Sequence, residues 1–390
     1  MEAIFFAVIL FVFLGFIHPY TTYPLSLIAM RRVVHKSHES ATKISLSDGA
    51  LVADVSPSSV AILFCARNEE SVIDRKIDNL KSLNSKNLDI TIRVFNDAST
   101  DSTAKLLEAR SGCIKLLNSD SHVGKSVGMN SLMKLVTEEY AVFTDANTFL
   151  DRNSVINAVR YLNDNPEVGL VAGISICANE GEAAISDISA SYWSLDVSIK
   201  RFESDLAGII GADGAFFVIR SQDYKVVPSN IIDDFFTSLS VSLRGKKAVQ
   251  LENCLVYERN VTDYEGELQR KTRIACRAYN CYRLLKGDIV KMPFIFRYCF
   301  FSHKWLRWHS FSFLASCLLL STIFLWVLAG WWFMIVPVSL SLTALASLID
   351  VPLISAPWRI VTLLYAVNKG VWKSYLGESF TSWNPDLSAR

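Results

Sequence analysis

Ile90-Thr-Ile-Arg-Val-Phe-Asn-Asp97 and Tyr140-Ala-Val-Phe-Thr-Asp145 are two apolar, strand-like runs that each end on an acid. An acid at the carboxyl end of a buried strand faces the crevice in which open α/β sheets bind their ligands. Working outward, Val60-Ala-Ile-Leu-Phe-Cys65, Ile114-Lys-Leu-Leu117 and Val168-Gly-Leu-Val-Ala172 read as three more strands. Helical patterns lie between them, one starting near Glu69 and another at Ser99–Ser102. Strands alternating with helices predict a mostly parallel α/β sheet. Past residue 175 the pattern turns mixed, with a helix near 184–205 and a short strand over Ala248–Tyr257. Two further acidic turns follow, Gly211-Ala-Asp-Gly-Ala215 and Ile231-Ile-Asp-Asp-Phe235.

The chain has 390 residues, 51% of them hydrophobic, and a mean hydropathy of +0.27. The apolar excess sits at the ends. Neither Ala3–Met30 nor Phe311–Ile349 holds an Asp, Glu, Lys or Arg. The second stretch is about twice the ~20 residues that cross a bilayer, and reads as a helical hairpin turning near Ala329-Gly-Trp-Trp332. At the N-terminus an acid, Glu2, stands where a signal peptide is basic, and no small-residue cleavage site follows. Arg31, Arg32, His35 and Lys36 come after the apolar run, which places the N-terminus outside and the following residues in the cytoplasm. Trp358–Trp372 carries Arg359 and Lys369 and is a third span, a re-entrant helix or an interfacial one. The expected organisation is therefore a transmembrane helix (1–30), a polar linker (31–57), an α/β domain (58–290), an interfacial helix (291–310), a transmembrane hairpin (311–349) and a membrane-associated or third spanning segment with a tail (350–390). A net charge of +1 gives no field to recruit nucleic acid. Eight scattered cysteines without a C-x-x-C pair predict reduced thiols in a cytoplasmic domain.

Cys65-Ala-Arg-Asn-Glu-Glu70, Asn96-Asp-Ala-Ser-Thr-Asp101, Gly124-Lys-Ser-Val-Gly-Met-Asn130, Phe143-Thr-Asp-Ala-Asn147, Gly211-Ala-Asp-Gly-Ala-Phe216, Asp233-Asp234 and Gln269–Arg273 follow one another in order. Together they resemble the membrane-bound family 2 glycosyltransferases, the group holding hyaluronan, chitin and poly-N-acetylglucosamine synthases. The resemblance implies a GT-A-like fold, a Rossmann-like mixed sheet beside transmembrane helices. It also implies roles for single residues. Asn68, Glu69 and Asp97 would hold the uridine of a nucleotide sugar, although Asn68, Asp97 and Ser99 are equally good helix caps. Lys125 would meet the nucleotide or its phosphates as a point charge. It is not part of a P-loop, because position 119 is Ser where that motif needs glycine. Asp145 and Asn147 stand in the place of the family's D-x-D, which implies Mg²⁺ or Mn²⁺ held by hard oxygen ligands. The amide at 147 offers an oxygen without charge.

Asp213 would lie near the acceptor sugar, in a turn whose glycines allow close approach. Asp233-Asp234 aligns with the end of the family's T-E-D motif, so Asp234 is the expected catalytic base. Adjacent carboxylates raise one another's pKa, as a general base needs. Arg270, Arg273 and Arg277 share a helix face; they meet the diphosphate, or face lipid headgroups or solvent. The processive motif Q-x-x-R-W is altered here: the arginine comes one residue late and Ile274 follows it.

The expectation is an inverting transferase at the plasma (inner) membrane, multi-pass, with its catalytic domain in the cytoplasm. It would move a sugar from a UDP-sugar to a hydroxyl of a growing β-linked polysaccharide, or add one sugar to a lipid-linked acceptor. Two or three helices make a thin channel, so export calls for a homo-oligomer or an export partner. A catalytically inactive membrane scaffold and a membrane nucleotidyltransferase are the remaining alternatives; the latter usually needs a glycine-rich loop where Arg67-Asn-Glu-Glu70 stands.

Overall fold

The computed structural model describes residues 2–38, 55–177, 184–259, 263–330, 334–335, 337–339, 341 and 352–381. An eight-stranded mixed sheet forms its centre, in the order β3-β2-β1-β4-β7-β6-β8-β5. Strands β1 (Ser58–Ala66), β2 (Leu88–Asn96), β3 (Lys115–Asn118) and β4 (Tyr140–Thr144) pair in parallel. Their runs of Val, Ile and Phe are apolar on both faces, as a sheet covered on both sides requires. From β1, Val60, Ile62 and Phe64 enter one core with Ile73, Ile77 and Leu80 of α3 (Ile73–Lys81) and with α6 (Ser154–Asp164). Ala61 and Leu63 enter the opposite core with Met129 and Leu132 of α5 (Lys125–Met133). Each buried Val, Leu, Ile, Phe or Met among them contributes about 1.5–3 kcal/mol.

The other half of the sheet departs from the parallel pattern. β7 (Phe216–Arg220) runs antiparallel to both β4 and β6 (Val168–Cys177). β8 (Lys247–Glu258) is parallel to β6, and the two-residue β5 (Phe149–Leu150) closes the edge. The helix expected near Glu69 starts at Ile73, and the one at Ser99–Ser102 is α4 (Thr103–Ala109). A third core gathers the helices that face the chain's apolar ends. It joins α2 (Thr22–His38), α7 (Ala184–Leu206), α8 (Asp233–Ser242), α9 (Tyr264–Ile289) and α10 (Phe294–Phe300) through Tyr23, Phe235, Tyr279, Phe300 and Trp308.

The N-terminal segment is two helices instead of one. α1 (Glu2–Ile17) and α2 meet at 69°, because Pro19 removes a backbone donor at the break. α12 (Ser310–Ala329) is long and apolar enough over Ser310–Leu328 to cross a membrane, as is the bent α1–α2 pair if the two helices act as one span. α1 lies along α12: Phe5 stacks on Phe324 at 5.6 Å, and Gly15 sits where a Cβ would come within 2.8 Å of Phe313. The turn of the expected hairpin continues into 331–333, outside the described residues. Trp358–Trp372 falls inside one helix, α13 (Pro352–Tyr375), which packs along α9. The two backbones meet at Gly370, where any Cβ would strike the Thr272 carbonyl. Between α10 and α12 the chain makes a π-turn (Phe301–Trp305) and a short α11 (Leu306–Trp308). Cys65, Cys113, Cys254, Cys276, Cys281, Cys299 and Cys317 are free thiols.

Candidate active site

The site lies at the carboxyl ends of β1, β2 and β4, where the two acid-ending strands were expected to open. Asp97 follows β2 and is 2% exposed. Its carboxylate accepts from Val123 N (2.8 Å), Gly124 N (2.9 Å) and His122 Nδ1 (2.8 Å). It thus ties the end of β2 to the start of α5, neither capping a helix nor lying open. Gly124 makes that turn at φ +88°, a conformation that favours glycine.

Asn68 and Glu69 lie in the loop after β1. Asn68 accepts from Thr100 N (2.8 Å), and its own N–H donates to Ser99 Oγ. Glu69 is buried, with its N–H on Thr103 Oγ1 (2.8 Å). These bonds lock the β1 loop to the β2 loop.

Lys125, the first residue of α5, extends into the acids. Its Nζ lies 2.6 Å from Asp145 Oδ1 and 3.4 Å from Asp233 Oδ2. Gly214 completes the contact: a Cβ there would meet Asp234 Oδ2 at 2.9 Å and Lys125 Nζ at 3.3 Å. Burial works against the ammonium, but Asp145, Asp233 and Asp234 outweigh it and hold Lys125 above the ordinary lysine range. Asp234 moves the other way. Burial, then the Asp233 charge, push its carboxyl up to about 7, with Lys125 opposing. Asp213 accepts from Ser175 Oγ (2.8 Å) and adds to the charge on Asp234.

The structure therefore gathers Lys125, Asp145, Asp233 and Asp234 into one charged cluster, with Asp213 beside it. Arg270 and Arg273 come to it from α9. Arg270 is held bidentately by Glu267, its Nε 2.7 Å from Oε2. Burial, then the neighbouring Arg277 and Arg270 charges, pull Arg273 down to about 10. Arg277 does not face lipid or solvent. It is 3% exposed and donates to Ser126 Oγ (2.6 Å) and to the Ile231 carbonyl, so it joins α5 to the loop before α8.

Two residues were missed by sequence reasoning. Glu258 ends β8, and burial, then Asp213, push its carboxyl up to about 8, with Arg270 opposing. The rule that marked Asp97 and Asp145, an acid closing a strand, would have found it. Lys76 is fully buried and donates to Thr144 Oγ1 (2.9 Å) and the Thr148 carbonyl (2.6 Å). It supports the Asp145 turn from behind, and its only signal was a lysine on the apolar face with Ile73, Ile77 and Leu80.

The fold, a mixed α/β sheet with acids gathered at its strand ends, is GT-A-like. Over 96% of the chain it superposes on 99% of a mannosyltransferase from Pyrobaculum calidifontis, described in complex with GDP-Man and Mn²⁺, with a TM-score of 0.72 and 16% identity. Residues 61–227 match the family described as Glycosyl transferase family 2. Poly-beta-1,6-N-acetyl-D-glucosamine synthases are distant homologues. That of Staphylococcus epidermidis is 26% identical over 171 residues, 43% of this chain and 41% of its own length. That of Staphylococcus aureus is 24% identical over 193 residues, 48% of this chain and 46% of its own. The matched region spans less than half the length of these curated relatives.

Proposed function

We propose that the protein is an inverting glycosyltransferase that moves a sugar from a UDP-sugar to a hydroxyl of a growing β-linked polysaccharide at a membrane. The observation that carries this reading is the pairing of Lys125 with acids on both sides of the cleft, beside an Asp234 carboxyl raised to about 7. In the proposed reaction Asp234 takes the acceptor's proton while the hydroxyl oxygen displaces UDP in one step. Lys125 and Arg273, with Arg270, face the charge that builds on the departing diphosphate, so catalysis is positioning and electrostatic stabilisation. Asn68, Glu69 and Asp97 shape the base pocket, and Asp213 and Glu258 line the acceptor side.

Among the described residues no group of three or more His, Cys, Asp or Glu could hold a metal ion. One carboxylate and one amide, Asp145 and Asn147, still fit Mg²⁺ or Mn²⁺, which commonly use one or two protein ligands plus substrate phosphates. When bound, the ion would neutralise diphosphate charge.

The polysaccharide reading draws support from the poly-N-acetylglucosamine synthase homologues. The second reading, one sugar added to a lipid-linked acceptor, is favoured by Ile274 in place of the processive tryptophan. Membranes holding the protein, given labelled UDP-sugars and GDP-mannose with Mn²⁺, decide between them. A large product from one UDP-sugar, lost in Asp234→Asn, is expected. Label confined to a small, solvent-extractable lipid would select the second reading, and label from GDP-mannose alone would overturn the donor assignment.

A further inference from the structure

Away from the cleft, a second charged cluster is buried where α2, α7 and the π-turn meet. Asp196 accepts from Lys200 Nζ (2.9 Å), His303 Nε2 (2.7 Å) and Arg307 Nη1 (3.0 Å). Glu203 Oε1 accepts from Tyr23 OH (2.6 Å) and His303 Nδ1 (2.7 Å), and its Oε2 accepts from Ile210 N (3.1 Å). Tyr23, Glu203 and His303 are 0% exposed. Burial works against the Asp196 charge, but Lys200 and His303 hold its carboxyl well below the usual range. Apolar side chains of similar volume often fill a core as stably as such a cluster. Its arrangement points to a second task.

That task is visible in what Glu203 holds. Its side chain fixes the Ile210 amide, and its own carbonyl accepts from Ala207 N and Gly208 N. One residue thus pins the start of the loop that runs through Gly208 and Gly211, both at positive φ, to Asp213. The loop is pinned again further on, where Ala212 N donates to Ser238 Oγ of α8. Lys304, next to His303, packs over Gly211, its Cε 3.7 Å from the place of a Cβ. On the other side, the elbow between α1 and α2 grips the same segment. His18 Nε2 bonds Ser302 Oγ (2.9 Å), and Ser26 Oγ bonds Tyr298 OH (2.6 Å).

We propose that His303 is a positioning residue: clamped between Asp196 and Glu203, it couples the seating of the α1–α2 elbow on α7 to the loop that carries Asp213, and so sets the acceptor subsite. This rests on the acceptor-side reading of Asp213. The test uses the full chain in lipid nanodiscs with two variants, His303→Gln and Tyr23→Phe. The second removes one hydroxyl and serves if the first does not fold. Both are compared with wild type by UDP calorimetry, by steady-state kinetics with a β-1,6-linked N-acetylglucosamine oligosaccharide, and by amide hydrogen exchange. The expected result is an acceptor KM raised about tenfold with kcat at saturating acceptor nearly unchanged. UDP affinity is unchanged, and exchange is faster across 208–213 but not in β1 or α5. Unchanged exchange across 208–213 in the folded variants would overturn the coupling. A kcat loss with no change in acceptor KM would overturn the acceptor role. Faster loop exchange in a protein that transfers no sugar even as wild type would support the coupling and sink the transferase reading instead.

Discussion

Asp234 can act as a base only when ionised. With its carboxyl at about 7, the ionised fraction is about one-tenth at pH 6 and nine-tenths at pH 8, so kcat/KM rises about tenfold over that interval. Its neighbours set the midpoint in opposite senses. Asp233→Asn removes a like charge and moves the midpoint down, by on the order of one pH unit. Lys125→Met removes the opposing cation and moves it up by a similar amount. Stability carries a matching signature. Because the folded-state value lies above the ordinary 3.8, the Asp234 contribution is fully present below the unfolded value. It is lost as pH rises from about 4 through about 7. Asp234→Asn removes that loss, so the variant melts higher than wild type at pH 8 and not at pH 4, while transfer is abolished and UDP still binds. The assay is the pH profile of sugar transfer by wild type and the two neighbour variants, with melting curves at both pH values. A midpoint that neither neighbour moves, or that both move the same way, would refute the assignment of the base.

Three further outcomes follow from contacts in the cleft. Gly214→Ala places a Cβ against Asp234 Oδ2 and Lys125 Nζ; transfer falls about a hundredfold, as misplacing reacting groups by about 1 Å does, with UDP affinity measured alongside to show that the donor still binds. Asp97→Asn turns an amide group toward three donors, His122 Nδ1, Val123 N and Gly124 N. Chemical denaturation should show a loss of about 1–3 kcal/mol, and calorimetry a weaker UDP site. Arg277→Met removes the bonds to Ser126 and Ile231, costs about 3 kcal/mol in the same denaturation assay, and loosens α8 toward faster hydrogen exchange.

Much of this site was legible because acids at strand ends are a local signal. Asp97 and Asp145 end runs of alternating and β-branched residues whose register needs no partner to be read. What the signal lacks is direction. The sequence shows Arg270, Arg273 and Arg277 on one helix face, but only packing against Ser126 and Ile231 reveals that Arg277 is structural and turned inward. Asp97 likewise has the composition of a cap or a ligand contact, and its three donors come from a loop some 25 residues away. The antiparallel half of the sheet was harder. Phe216–Arg220 is short and follows a glycine-rich turn, so it looks like the end of that turn until it pairs with β4 and β6. The His303 cluster leaves no local trace, because Tyr23, the α7 pair Asp196 and Glu203, and His303 come from three distant parts of the chain.

The stacking of Phe5 on Phe324 and of Gly15 on Phe313 also fixes a sense of direction. The end of α1 nearest the sheet domain meets the start of α12, and its beginning meets the end of α12, so the two helices are antiparallel. If α12 crosses a bilayer outward from the domain, α1 crosses it inward, and residues 2–5 lie on the face opposite the cleft. α13 lies against α9 on the domain side. On that arrangement, a membrane-impermeant label directed to a cysteine introduced at position 2 would react only from the face opposite the acid cluster, and reaction from the other face would overturn it.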